Sequence, residues 1–70
     1  MLVDFGGMSN SQLCNLIDER IRGRNASRNR EIIKIRLIDG LTYEAIAERF
    51  DMSVRQIKKV CYKGIDTISR

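Results

Sequence analysis

The sequence predicts an all-α fold, a small bundle of three or four helices, and three observations support this prediction. Apolar residues recur three and four positions apart along most of the chain, which is the spacing of one helix face. Proline is absent, and Gly23, Gly40 and Gly64 separate the apolar segments as helix-ending residues do. With 70 residues, the chain is long enough for one domain and no more.

The first predicted helix runs from about Asn10 to Arg22 and follows a flexible N-terminal arm over residues 1–8. Ser9 lies three residues before Gln12, which is the spacing of a capping box at a helix start. Gly23 is a suitable C-terminal stop. An apolar stripe on this helix favours intramolecular core packing, with a dimer interface as the alternative. The stripe consists of Leu13, Leu16, Ile17 and Ile21.

The second predicted helix extends from about Arg28 to Asp39, with Ser27 as its cap and Gly40 as its stop. Its apolar residues cover more than one face, which indicates a helix at the centre of the core. The many β-branched residues would also suit a strand. A helix is favoured because the run is long and charged residues are interspersed among the apolar ones.

Two shorter helices complete the predicted fold. Thr42 is the expected N-cap of a helix over residues 43–50. Ser53 is the expected cap of a fourth helix, and Gln56 completes a second capping box. This fourth helix is predicted to end near Lys63, with Gly64 as its stop, and residues 65–70 are predicted to add a short extra turn.

The last two helices form a predicted helix-turn-helix motif from about Leu41 to Gly64, within a single domain over residues 9–70. About three residues join the two helices, which is the connection length of this motif. Ala47 supplies the small residue needed where the helices approach closely. Asp51 stands where the turn usually has glycine, and aspartate enters the left-handed region more readily than most other residues.

The charge of the chain favours a polyanionic partner. Thirteen basic residues against nine acidic ones give a formal net charge of +4 and a pI of about 9.5. Arginines are concentrated between Arg20 and Arg30, where they either contact phosphates or merely keep a linker soluble. From Ser53 onward, basic residues again outnumber acidic ones.

The segment from Arg30 to Lys63 resembles the promoter-reading C-terminal domain of bacterial sigma factors. It is similar also to small sigma-like regulators of bacteria and their phages. The resemblance rests on LTYEAIAERFDMSVRQIKKV at residues 41–60 and on REIIKIRLIDG before it. It covers about half of the chain and none of the larger sigma domains, so we do not expect a complete sigma factor.

The resemblance implies that a recognition helix over about residues 53–63 enters the major groove of DNA. Residues near its start would reach base edges on the groove floor. Those expected there are Val54, Arg55, Lys58 and Lys59. Those expected on the backbone or rim are Gln56, Tyr62 and Lys63. At the start of the third helix, Thr42 and Tyr43 would meet a phosphate.

Other features exclude several classes of protein. Histidine is absent, and neither a nucleophile motif nor a paired-cysteine spacing occurs, so we expect no enzyme, no catalytic residue, no metal and no cofactor. Cys14 and Cys61 are expected to be reduced structural thiols of a cytoplasmic protein. No apolar run approaches the roughly 20 residues of a membrane span, so no membrane partner is expected.

The sequence therefore predicts a sequence-specific regulator of transcription that binds double-stranded DNA. A DNA-packaging or recombination accessory, similar to a small terminase subunit or a transposase head, is one alternative. A protein-interaction module with the same fold is another. We expect a homodimer on DNA, whereas a monomer would need recruitment by RNA polymerase or another protein.

Overall fold

A computed structural model describes residues 7–69 and confirms the all-α prediction. Its helices, in chain order, are α1 (Asn10–Arg20), α2 (Ala26–Lys34), α3 (Tyr43–Phe50) and α4 (Val54–Ile68), and a π-helical segment (Ile35–Asp39) continues α2. Across residues 7–69 there is no strand. Most of the predicted N-terminal arm lies outside the described residues.

Helix α1 begins as predicted but ends earlier. The Ser9 hydroxyl accepts a hydrogen bond from the Gln12 backbone N–H, and the Gln12 side chain accepts one from the Ser9 N–H, which completes the capping box. The helix ends at Arg20 rather than Arg22 because Ile21 is extended, with φ −87° and ψ 107°. Gly23 then adopts φ +114°, a conformation that favours glycine.

Helix α2 begins at Ala26, so the predicted start at Arg28 with Ser27 as the cap was wrong. The N-cap residue is Asn25, and its side chain makes no capping hydrogen bond. The Ala26 N–H instead donates to the Gly23 carbonyl at 3.2 Å. The backbone turn around Gly23, rather than a serine side chain, therefore starts this helix.

The predicted second helix is not α-helical to its end. From Ile35 to Asp39 the backbone widens into a π-helical turn, and the Gly40 N–H donates to the Ile35 carbonyl. Gly40 is left-handed at φ +73° and stops the helix, as predicted. The wider turn carries Arg36 toward the start of α3, where its guanidinium donates to the Leu41 carbonyl at 2.8 Å.

Two apolar clusters share α2, which confirms its central position. Ile32 belongs to a cluster with α3 and α4, and the neighbouring Ile33 belongs to a second cluster with α1 and the end of α4. The buried members of the first cluster are Ile32, Ile35, Ile46, Ala47, Ile57 and Cys61. Those of the second are Leu13, Ile17, Ile21, Ile33 and Ile68. The α1 stripe is thus intramolecular core.

The predicted end of the fourth helix at Gly64 was wrong, because α4 continues to Ile68. Gly64 is buried within the helix, and a Cβ there would collide with Ile33 Cδ1 and lie 2.9 Å from Ile33 Cγ1. The predicted extra turn is therefore the end of α4, and Ile68 is buried in the second cluster. A glycine inside a helix costs about 1 kcal/mol relative to alanine, and close packing against α2 explains its presence.

Two polar contacts hold α1 against α2. Lys34 forms an ion pair with Asp18 at 2.7 Å, and the hydrogen bond between them raises the pKa of Lys34 above its ordinary value. Both side chains are partly exposed, so the pair adds little stability. The Arg30 Nε donates to the Ile21 carbonyl at 2.7 Å, beyond the end of α1. Arg30 thus has a structural role within the arginine-rich segment.

Candidate nucleic-acid interface

A tight turn of three residues, Asp51 to Ser53, joins α3 to α4. Asp51 is left-handed, with φ 54° and ψ 47°, as the sequence predicts. The Met52 N–H donates to the Ala47 carbonyl at 2.9 Å, and the Asp51 N–H donates to the Glu48 carbonyl at 3.4 Å. This pair of hydrogen bonds is a Schellman motif, which ends α3 and redirects the chain into α4.

Replacing Asp51 with glycine should leave the free energy of unfolding unchanged or raise it by up to about 1 kcal/mol. Glycine removes the left-handed strain and a negative charge at the carboxyl end of α3, although it adds entropy to the unfolded chain. Urea unfolding of both proteins measures the effect.

The matched control for this substitution is Asp51→Val, because a β-branched residue is strongly disfavoured at positive φ. Asp51→Val should be clearly less stable than the native chain. If Asp51→Gly lost as much stability as Asp51→Val, the Asp51 side chain itself would stabilise the turn and the conformational argument would fail.

Side-chain caps fix the starts of both helices of the motif. The Thr42 hydroxyl accepts a hydrogen bond from the Ala45 N–H at 3.1 Å. The Ser53 hydroxyl accepts one from the Gln56 N–H at 3.1 Å, and the Gln56 side-chain oxygen accepts one from the Ser53 N–H at 3.0 Å. Both predicted caps are confirmed. The Gln56 oxygen is consequently engaged by the cap, so the amide group has less freedom to meet a ligand.

The outer face of α4 carries most of the predicted site residues. All of the polar ones are exposed, and they are Arg55, Gln56, Lys58, Lys59, Tyr62 and Lys63. The sequence places no acidic residue between Val54 and Ile65, so the charged side chains of this stretch are all basic, and Asp66 follows in the last turn of α4. Val54 differs from the others because it is half-buried and packs against the first core cluster.

An aromatic group connects this face to the start of α3. The rings of Tyr43 and Tyr62 meet edge to face, with centroids 6.1 Å apart. The Arg36 guanidinium lies 4.4 Å from the centre of the Tyr43 ring, and the Lys58 ammonium lies 5.8 Å from it. Both cations are within range of a cation–π interaction. Tyr43 thus positions Lys58 on the α3 side of α4.

Tyr43 is a neutral phenol at physiological pH. Burial raises the pKa of Tyr43 above its ordinary value of 10.0, and a hydrogen bond with Tyr62 raises it further. The nearby Arg36 opposes this effect by favouring the phenolate. A neutral phenol can donate a hydrogen bond to an anionic oxygen.

The opposite side of α4 faces the connection between α1 and α2. Lys59 and Lys63 line a cleft of about 530 Å³ together with arginines of that connection. We call this the basic cleft and define it by Arg22, Arg24, Arg28, Lys59 and Lys63. Lys58 and Lys59 are adjacent in sequence, yet they point to different sides because successive residues are about 100° apart around a helix.

Sequence reasoning missed two features of this surface. Arg36 had no assigned role, because the widened turn after Lys34 brings it to Tyr43 and no local pattern marks that change. The arginine-rich segment was recognised, but its proximity to Lys59 and Lys63 depends on how α2 packs against α4. The internal Gly64 is the available signal, since a glycine within an amphipathic helix indicates a close contact.

Three further observations bear on other classes of site. Among residues 7–69, no group of three or more acidic or cysteine side chains is placed to hold a metal ion. Cys14 and Cys61 are unpaired thiols, and burial raises the pKa of Cys61. Within the same range, no helix combines the length and apolar character needed to cross a membrane.

Comparison with known proteins gives no further assignment. No model of a known protein family matches the chain, and neither curated proteins nor solved structures give a significant match. The resemblance to sigma C-terminal domains therefore stays a prediction.

Proposed function

We propose that this protein is a sequence-specific regulator of transcription that binds duplex DNA by placing α4 in the major groove. The major groove is wide enough to admit one α-helix, and each base pair presents a distinct pattern of hydrogen-bonding groups there. The proposal places the protein in the cytoplasm of a bacterial or phage-infected cell, in keeping with the sigma-like resemblance.

The observation that carries the proposal is the basic face of α4, held in place by a well-formed turn. Arg55, Lys58, Lys59 and Lys63 are all exposed, and no acidic side chain separates them along the helix. The Schellman motif at Asp51 and the cap at Ser53 fix the start of α4 relative to α3. An ordered basic helix of this kind suits a polyanion better than a small neutral ligand.

The residues of α4 have separate proposed tasks. Arg55 lies in the first turn, where a recognition helix approaches the bases, and an arginine can donate two hydrogen bonds to guanine. Lys58 was expected on the groove floor, but it lies toward α3 with Tyr62, so the rim on that side is its proposed place. Val54 is half-buried, so only part of its side chain is available to touch a thymine methyl group.

The proposal includes a homodimer on DNA, because a single small module covers little DNA surface. Three of the four residues of the α1 stripe are buried within the chain, so a dimer would use another surface. The mass of the complex with its selected duplex gives the number of chains bound.

DNA affinity should fall steeply with salt, because each neutralised phosphate releases counterions. We expect the logarithm of the association constant to fall against the logarithm of salt concentration with a slope of about −4 to −7. The experiment selects duplexes from a random pool and titrates the best one over a salt series by fluorescence anisotropy.

An unselected duplex of the same length is the control, and it should bind more weakly with a similar dependence on salt. A flat plot for both duplexes would exclude DNA binding as the main activity. If the selected and unselected duplexes bound with equal affinity, the protein would still bind DNA, but the proposed sequence specificity would be wrong.

A further inference from the structure

We propose that the basic cleft holds backbone phosphates along one wall of the major groove, while the start of α3 meets the other wall. This inference rests on the proposed DNA-binding function and assigns the arginine-rich connection to the interface. It concerns Arg22, Arg24 and Arg28 on one side of the cleft and Lys59 and Lys63 of α4 on the other.

The composition of the cleft favours an anion. Arg20 also lines the cleft, so six basic residues surround it, and no aspartate or glutamate of residues 7–69 is among its lining residues. Its volume of about 530 Å³ is large enough for the phosphate groups of a passing strand rather than for one ion. Concentrated positive charge attracts phosphodiesters and contributes to affinity through counterion release.

The arginines belong to an ordered connection rather than to a loose linker. Arg30 fastens the connection to the end of α1 through the Ile21 carbonyl, and the Arg22 Nε donates to the Glu19 carbonyl at 2.9 Å. Gly23 lies between them with a φ of +114°, which favours glycine. The backbone that carries these arginines is therefore held in place against the end of α1.

The close approach of α2 and α4 forms the floor of the cleft. Gly64 and Ile33 both line it, and the absence of a Cβ at Gly64 allows the two helices to meet there. As a consequence, Arg28 in the first turn of α2 lies near Lys59 and Lys63 across the cleft. The helix packing that requires a glycine thus also brings the two groups of cations together.

The cleft lies on the side of α4 where the second phosphodiester strand of a major groove would run. A helix in the major groove has a phosphodiester strand on each side. Tyr43 and Lys58 mark one side of α4, where α3 begins, whereas Lys59 and Lys63 mark the side that faces the cleft. With Arg55 toward the groove floor, both strands would meet basic or hydrogen-bonding groups.

The test replaces Arg24 and Arg28 with glutamine and measures binding to the selected duplex of about 20 base pairs, or two helical turns. Affinity at about 0.1 M salt should fall roughly tenfold to sixtyfold, and the salt slope should become shallower by about 2, since two phosphate contacts are lost. The ratio of affinities between the selected duplex and its single-base variants should stay unchanged, because phosphates carry no sequence information.

Two companion variants separate a local effect from a change of net charge. Ser11→Asp with Asn15→Asp lowers the formal charge from +4 to +2, as the double glutamine variant does, on exposed positions of α1 outside the cleft. It should have a smaller effect on affinity and slope. Arg24→Lys with Arg28→Lys keeps the charge and should keep most of the affinity. Circular dichroism melting checks that all variants are folded.

The outcomes distinguish the inference from the function on which it rests. If the native chain binds no duplex, both the function and the inference fall. If it binds with a steep salt dependence and the double glutamine variant merely matches the α1 control, the inference alone is wrong. A loss of base selectivity in the double glutamine variant would also overturn it, because the cleft would then read bases rather than phosphates.

Discussion

Replacing Gly64 with leucine should lower the free energy of unfolding by about 3 kcal/mol, at the upper end of the range for overpacked cores. The new side chain must enter the space that Ile33 Cδ1 and Cγ1 already occupy, and Ile33 is itself 1% exposed. The melting temperature of so small a domain should fall by roughly 12 to 24 °C. Thermal and urea unfolding measure this change, with Lys59→Leu on the exposed face of α4 as the control.

A compensating substitution makes the test specific to the contact with Ile33. Gly64→Ala gains about 1 kcal/mol of helix propensity but introduces a Cβ that collides with Ile33 Cδ1. Ile33→Val removes that Cδ1 atom, so Gly64→Ala should be better tolerated in the Ile33→Val chain than in the native one. A coupling free energy near zero in this double-mutant cycle would contradict the packing described here.

Replacing Arg55 with alanine should weaken binding to the selected duplex by about 1–3 kcal/mol and relax the preference at one or two base pairs. Arg55 is exposed in the first turn of α4, where a recognition helix approaches the groove floor. Its removal leaves the core untouched, so the variant should remain folded. Binding to the selected duplex and to each single-base variant measures the change in selectivity.

Lys63→Ala is the matched control for Arg55→Ala on the same helix. Lys63 lines the basic cleft, so its loss should weaken all duplexes about equally and reduce the steepness of the salt slope by about 1. If Arg55→Ala behaved in the same uniform way, Arg55 would contact a phosphate. The orientation of α4 in the groove would then differ from the one proposed.

The starts of three helices and the turn of the motif were predictable because their hydrogen bonds lie within a few residues. The hydroxyls of Ser9, Thr42 and Ser53 each accept from the N–H three positions later. Asp51 adopts the left-handed conformation in the turn, a region that aspartate enters more readily than most other residues. The apolar stripe of α1 and the central position of α2 follow from helical periodicity, which the sequence displays directly.

The errors occurred where contacts between helices outweigh local preference. Gly64 has the local character of a helix stop, yet α4 continues through it because the glycine lies in a close contact with Ile33 of α2. Helix α2 starts at Ala26 because the Gly23 carbonyl receives its first N–H, not because a serine caps it. The π-helical segment that begins at Ile35 was likewise not predicted, because nothing in the apolar pattern of the sequence marks it.

The same distinction between local sequence and helix packing applies to the candidate site. The sequence alone predicts a basic helix after a tight turn, because the charges and the turn residues belong to one continuous segment. Two features depend on how separate helices pack. One is the contact of Arg36 and Lys58 with Tyr43. The other is the position of Arg24 and Arg28 in the same cleft as residues of α4. Side chains distant in sequence become neighbours only when buried isoleucines and an internal glycine fix the distance between helix axes, and local propensity does not encode that distance.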